Sequence, residues 1–372
     1  MQHVERAIFD LRRGLPVVIN SPAGDHLVAP IEALDASLLT DMRAGAADPA
    51  RLVLTGHRLS HIGLDSDLAL AGLPLAAEDS RADVIGWACD PNASWPRPRA
   101  AIETDQVDEA AIALMRRGRL IPAAVVARVE GILAETLDQR VARGDLLSVN
   151  AADIFAHERA APSLLRWISA ADVPLEAAPR SRFVVFREAD GLREHVAVLI
   201  DDEANWPDPV PVRLHSACLT GDLFGSLRCD CGPQLKASLA AIQQRGGGVL
   251  LYLAQEGRGI GLANKMRAYQ MQDEGLDTVD ADRVLGFGQD ERDYSIAREM
   301  LAQLSVSHID LLTNNPAKLA AMNHDAIQVA GRSSVYGRLT RENRRYLTTK
   351  AQRAGHWLDA LLAEPSDRDE QL

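Results

Sequence analysis

Residues 213–235 read RLHSACLTGDLFGSLRCDCGPQL, and three of the chain's four cysteines fall within them, at Cys218, Cys229 and Cys231. Pro233 then opens an apolar pattern at Leu235, Leu239 and Ile242 that stops at Gly246–Gly248. Proline in the first turn and glycine past the last mark a helix over 233–245. The strand VLLYLA (249–254) follows, then QEGRGIG (255–261) and a helix over about 261–274. A helix over about 291–304, the strand HIDLLT (308–313), the turn Asn314-Asn315-Pro316 and a short helix from Pro316 continue the alternation. Upstream, RFVVFRE (182–188) and HVAVLIDD (195–202) read as strands joined by the turn residues Asp190-Gly191. Strands alternating with helices define an α/β domain.

The cysteine spacing carries the chemistry. A structural zinc takes four protein ligands, whereas a catalytic zinc keeps one position for water, so three thiolates point to a metal-activated water. Three reduced, packed cysteines are the plainer alternative, set against the polar neighbours Asp222, Arg228 and Asp230. Cys89 stands apart as a packed or surface thiol. In QEGRGIG the glycines allow backbone N–H groups to approach an anion, and Arg258 adds a bidentate phosphate donor. A plain strand–helix connection reads the same way. Arg213 and Lys318 add positive charge at element ends. Asp290-Glu291-Arg292-Asp293 opens a helix, where acids complement the macrodipole or supply a general base. His215, His308 and His356 are candidate ligands, though unpaired histidines are commonly packed or surface residues.

A length of 372 residues suggests two domains. The net charge of −12 argues against binding to nucleic acid or an anionic membrane. No apolar run approaches the ~18–20 residues of a membrane helix, MQHVERAIFDLRRG is an amphipathic helix and not a signal peptide, and four cysteines form no disulfide framework. The expectation is a cytoplasmic protein. In the first half, helices over 4–13 and Asp108–Arg117 accompany the strands PVVIN, RLVLTG and LIPAAVVARV. Leu75–Pro98 reads as a surface loop, and the Ala- and Pro-rich stretch Ala161–Pro179 sets a boundary near 175. The expected domains are therefore 1–175 and 176–362, with 363–372 a disordered acidic tail.

Residues 182–356 resemble GTP cyclohydrolase II, through RLHSACLTGDLFGSLRCDCGPQL, QEGRGIGLANKMRAYQMQDEGLDT, LGFGQDERDYS, LLTNNPAK and TTKAQRAGH. The resemblance implies a layered α/β cyclohydrolase domain in which Cys218, Cys229 and Cys231 hold one zinc per subunit. Its water would attack C8 of GTP, releasing formate, with diphosphate and 2,5-diamino-6-(5-phosphoribosylamino)pyrimidin-4(3H)-one as the other products, in the first step of riboflavin biosynthesis. It also implies GTP contacts at Arg213, Gln234, Glu256, Gly257, Arg258, Thr278, Thr313 and Lys318. Glu256 would read the guanine edge, where a carboxylate accepts from N1–H and N2–H together. Asp290 matches the general base, Arg292 the nucleophile on the α-phosphorus, and Tyr269 the group assisting ring opening. Magnesium is expected on the triphosphate, and a homodimer as the assembly.

Two positions depart from the family's pattern. Ala217 stands where HSEC has glutamate, and Ala254 where arginine precedes QEGR. Loss of both members of an ion pair is nearly neutral, while loss of one strands a charge. Compensated drift is one reading. The alternative is a paralogue acting on another nucleotide, as in uracil catabolism, and a third is a non-catalytic nucleotide-binding regulator. The N-terminal half (VERAIFDLRRGLPVVI, GDHLVAP, DEAAIALMRRGRLIPAAVVARV) resembles dihydroxybutanone-phosphate synthase, a separate α/β (α+β) domain. That synthase's acidic run and metal-binding histidine are replaced here by Asn20-Ser21-Pro22-Ala23-Gly24-Asp25 and Gln106-Val107-Asp108. A degenerate, non-catalytic domain is expected.

Overall fold

Six strands build the first sheet of the computed structural model, which describes residues 2–64, 67–324 and 326–363. They are β1 (Val17–Ser21), β2 (Gly24–Pro30), β3 (Arg51–Thr55), β4 (Leu70–Pro74), β5 (Ala123–Arg128) and β6 (Leu147–Asn150), in the order β4-β3-β5-β2-β1-β6. All neighbours are antiparallel except β1 and β6. Ala123–Ala127 are buried without alternation, as a strand covered on both faces requires. Helix Gln106–Arg117 starts two residues before the expected Asp108, because Asp105 and Asp108 form a capping box there.

The stretch Leu75–Pro98 is not a surface loop. It contains helix Arg81–Cys89, started by a Ser80–Asp83 capping box, and Val84, Ala88 and Trp95 join the core. Polar residues that resemble loop punctuation act there as caps.

Seven strands build the second sheet: β7 (Arg166–Asp172), β8 (Ser181–Arg187), β9 (Glu194–Ile200), β10 (Val210–Ser216), β11 (Gly248–Leu253), β12 (His308–Leu312) and β13 (Gln328–Ser333). Their order is β13-β12-β10-β11-β9-β8-β7. The four strands from β13 to β11 run parallel, and β9, β8 and β7 continue the sheet antiparallel. Val249, Leu251 and Leu253 pack with Ile296, Met300 and Leu301 on one face, and Leu250 with Ile242 on the other. The unbroken apolar run of β11 thus follows from burial on both sides.

Both sheets are mixed and helix-covered, so the α/β class holds. The chain forms two compact units, Met1–Ala160 with Ile260–Glu291, and Ala161–Gly259 with Arg292–Leu372. β7 lies within the stretch expected to hold the domain boundary. Nearly all of the expected acidic tail, 364–372, lies outside the described residues. None of the described helices is long and apolar enough to cross a membrane.

Candidate functional site

β12, β10 and β11 are adjacent and parallel, so three loops far apart in sequence leave the same sheet edge. They are the cysteine loop after Ser216, the QEGRG turn after Leu253, and Thr313-Asn314-Asn315 after Leu312. Ligand sites collect at the carboxyl ends of parallel strands for this reason.

The cysteines converge. Cys218 caps the short helix Leu219–Asp222, Cys231 opens helix Cys231–Gln244, and the three sulfurs lie within 4.8 Å of one another. Cys218 and Cys229 are 3.6 Å apart. Sulfurs bound about 2.3 Å from a tetrahedral zinc stand about 3.8 Å apart, so the cluster has the dimensions of such a site. A Cβ built on Gly221 would fall 2.6 Å from the Cys229 sulfur and 3.1 Å from that of Cys218, so only glycine lets this turn close over the sulfurs. The hydrogen bond with Cys218 is the first cause that raises the Cys229 thiol, to about 11, and the neighbouring sulfurs and burial raise Cys231 as well. Packed thiols keep their protons, and a divalent cation is what makes three thiolates compatible in one place.

Asp222 fixes this loop. Its carboxylate accepts from the backbone N–H of Cys218 at 2.9 Å and from Tyr252 Oη at 2.9 Å, and pairs with His215 Nε2 at 3.0 Å. The His215 ring stacks on Tyr252 with centroids 5.6 Å apart. Burial, ahead of the opposing Asp222 charge, lowers the His215 pKa. Sequence reasoning noted Asp222 only as a polar neighbour; its place four residues after Cys218 was the available signal.

Cations surround the same edge. Arg213 is buried, donates to Leu312 O at 2.8 Å and Gln234 Oε1 at 2.6 Å, and is lowered by burial to about 10, leaving it charged at neutral pH. Gln234 donates in turn to Asp230, which Lys350 reaches at 3.3 Å. Lys318 Nζ donates to Leu214 O at 2.8 Å, and Thr313 Oγ1 accepts from Asn315 N at 3.0 Å. Burial and then the charges of Lys350, Arg292, Lys318 and Arg258 push the half-buried His356 down to about 3. His356 thus stands among four cations, which add to the effect of its burial. Lys350 lies in the TTKAQRAGH stretch, but the sequence pattern gave it no role and no helix over Arg341–Ala354.

In the QEGRG turn, Gly257 and Arg258 both take left-handed backbone, with φ of 63° and 61°. That conformation is ordinary for glycine and costly for arginine, and such strain clusters at functional positions. Glu256 is buried, and its Oε2 accepts from Leu219 N at 2.6 Å. Behind the turn, Ala254 N donates to His195 Nδ1 at 3.1 Å, and His195 Nε2 meets Glu188 at 2.8 Å in the sheet interior.

Asp290–Asp293 does not open a helix. The helix begins at Ser295, whose N–H donates to the Asp293 carboxylate, and residues 290–293 form the coil before it. Asp290 is exposed, and Arg292 lies over the Tyr294 ring at 5.5 Å. Tyr269 sits in helix Leu262–Asp273 with Lys265 over its ring at 5.5 Å, and Thr278 is the first residue of helix Thr278–Val284. Tyr269, Thr278 and Asp290 belong to the unit that contains the first sheet, and the remaining expected site residues to the unit of the second. Cys89 packs beside Ile260, Ala268 and Phe287. Ala217 N donates to Leu253 O at 2.8 Å, next to Ala254.

Three clustered thiols, a buried carboxylate and several cations thus meet at one strand edge of an α/β sheet, the kind of site that α/β enzymes build. A family model described as GTP cyclohydrolase II matches residues 166–334. A GTP cyclohydrolase-2 of Xylella fastidiosa (strain Temecula1 / ATCC 700964) is 42% identical over 359 residues, 95% of this chain and 87% of that protein. The chain belongs to the GTP cyclohydrolase II family. It is also similar to the riboflavin biosynthesis protein RibBA of Bacillus cereus (strain AH187), 41% identical over 256 residues, 68% of this chain and 64% of that protein. Among solved structures, RibBX, a two domain 3,4-dihydroxy-2-butanone 4-phosphate synthase from A. baumannii, aligns at 17% identity and a TM-score of 0.34. That alignment covers 88% of this chain and 98% of that one, and at this TM-score it defines neither fold nor activity.

Proposed function

We propose that the chain hydrolyses GTP to the diaminopyrimidinone ribosylamino-phosphate, formate and diphosphate, with zinc held by Cys218, Cys229 and Cys231. The convergence of these three sulfurs under Gly221 is the observation that carries the reading. A zinc ion there would supply a Lewis acid and an acidified water for attack at C8. Asp222 holds the Cys218 turn, and Glu256 presents its carboxylate beside it for the guanine edge. Arg213, Arg258 and Lys318 offset the triphosphate charge, Gln234 orients Arg213, and Thr313 and Thr278 complete the nucleotide contacts. Tyr269 assists ring opening, Asp290 acts as the base, and Arg292 attacks the α-phosphorus to displace diphosphate; water then cleaves the phosphorus–Arg292 bond, releasing the monophosphate and the free side chain. Gly257 provides the close backbone approach. Among the described residues the cysteine triad is the one group able to hold a metal, so magnesium would arrive on the phosphates. A cytoplasmic homodimer is part of this reading, as the family resemblance implies.

Zinc analysis of the purified chain tests the site. One zinc per chain, lost together with GTP turnover in Cys229→Ser, is the expected result; GTP turnover surviving full loss of zinc contradicts it. Ala217 and Ala254 favour a second reading, a paralogue for another nucleotide, which predicts no GTP turnover beside turnover of that nucleotide.

In this reading residues 1–160 have no synthase chemistry of their own, and the cyclohydrolase chemistry belongs to the stretch expected at 176–362; the boundary expected near 175 moves to about 160, because Arg166–Asp172 pairs in the second sheet. β1 turns into β2 through Ser21 and Gly24 with Asn20 bonded to Asp25, and no acidic run stands there to stabilise an enediolate. Formation of dihydroxybutanone phosphate from ribulose 5-phosphate contradicts this part.

A further inference from the structure

Ile260–Glu291 lie within the stretch resembling the cyclohydrolase, yet they pack in one compact unit with the first sheet. Two N-terminal side chains bond to the far end of this segment. Thr55 Oγ1 donates to Gly286 O at 2.7 Å, and Arg58 Nη1 donates to Val284 O at 3.0 Å. The remaining Arg58 nitrogens donate to the carbonyls of Trp87, Gly86 and Asp90 at 2.8, 2.9 and 2.7 Å, so this guanidinium, only 1% exposed, ties two helix ends to one point. The approach is close: Gly286 has a φ of +83°, and a Cβ there would stand 3.0 Å from Thr55 Oγ1. At the near end, Asn264 Nδ2 donates to Arg119 O at 3.0 Å, and Arg267 pairs with Glu32 at 3.2 Å.

We propose that the N-terminal domain is a positioning element for the segment Ile260–Glu291, with Thr55 and Arg58 clamping the helices and loop that carry Tyr269 and Asp290, two residues assigned above to the cyclohydrolase reaction. The inference rests on the roles of Tyr269 and Asp290 proposed above. It gives a domain without chemistry of its own a physical role, because small misplacements of a catalytic group cost on the order of 100-fold in rate. Thr55 and Arg58 act through the segment they hold and are positioning residues.

The test uses the full chain, as Thr55→Val, Thr55→Ser and the double variant Glu32→Ala/Arg267→Ala. Arg58→Ala is avoided because it strands several buried carbonyls and destabilises the whole unit. Zinc content, kcat and KM for GTP, and amide exchange across 278–290 are measured together. Thr55→Val is expected to lose about fivefold to tenfold in kcat, the rate equivalent of one hydrogen bond. KM should hold within about twofold, zinc should stay at the wild-type level, and exchange in 278–290 should speed up; Thr55→Ser keeps the hydroxyl and stays near wild type. Faster exchange with an unchanged kcat overturns the proposal, as does a loss of kcat that tracks loss of zinc, or unchanged exchange. A wild-type chain inactive on GTP refutes instead the roles of Tyr269 and Asp290, and the exchange result then decides the clamp.

Discussion

Glu256 Oε2 accepts a hydrogen bond from the backbone N–H of Leu219 at 2.6 Å, joining the QEGRG turn to the residue after the first cysteine of the thiol cluster. Two sequence blocks more than thirty residues apart thus meet, and the carboxylate proposed to read guanine also braces the cysteine loop. Glu256→Gln keeps an acceptor but loses the charge; Glu256→Ala loses both. A hydrogen bond to a charged group contributes about 1.5–3 kcal/mol. Glu256→Ala is therefore expected to lower kcat/KM for GTP by at least tenfold and to loosen zinc, while Glu256→Gln lowers kcat/KM and retains zinc. Equal zinc loss in both variants contradicts the assignment.

Ala217 N donates to Leu253 O, which places Ala217 beside Ala254 at the ends of neighbouring strands. Larger charged side chains at these two positions would meet. Ala217→Glu alone is expected to cost about tenfold in activity by stranding a partly buried carboxylate, and Ala217→Glu/Ala254→Arg to recover most of it. Additive effects of the two changes would sink the pairing.

His356 supplies a pH test. Its folded pKa of about 3 lies below the ordinary 6.5, so between these values the unfolded chain binds the proton and the folded chain does not. The contribution to stability is full above pH 6.5 and declines as pH falls through that window. Denaturant midpoints at pH 7 and pH 5 should show a drop that His356→Gln reduces. Inorganic triphosphate should raise the His356 pKa in an NMR titration by offsetting the field of Lys350, Arg292, Lys318 and Arg258; no movement contradicts the cationic pocket.

Glu188 and His195 form a buried pair in the sheet, with Arg193 on the same carboxylate at 3.3 Å. His195 Nδ1 accepts from Ala254 N, so Nε2 carries the hydrogen and donates to Glu188. Removing one partner of a buried pair costs about 3–5 kcal/mol. Glu188→Ala is expected to lower unfolding free energy by about that amount, and Glu188→Gln, which still accepts from His195, by less. Equal losses contradict the pairing.

The elements that were legible are those whose burial imposes a run or a breaker. VLLYLA is apolar throughout because both faces are covered, and Pro233 and Gly246 bracket a helix. The cysteine spacing disclosed the thiol cluster, because three cysteines within fourteen residues of a polar loop have few other uses. The helix Arg81–Cys89 was hidden because its Ser80–Asp83 cap resembles loop composition, and residues 290–293 misled because acids favour both helix starts and the coil before them. The packing of Ile260–Glu291 with the first sheet, and the charges around His356, are tertiary properties that no local pattern encodes.

The fate of C8 tests the central claim most directly. With the zinc-loaded chain, magnesium and GTP labelled with 13C at C8, the account predicts labelled formate in one-to-one ratio with the pyrimidine product, abolished in Cys229→Ser. Intact labelled GTP beside turnover of a different nucleotide would contradict it.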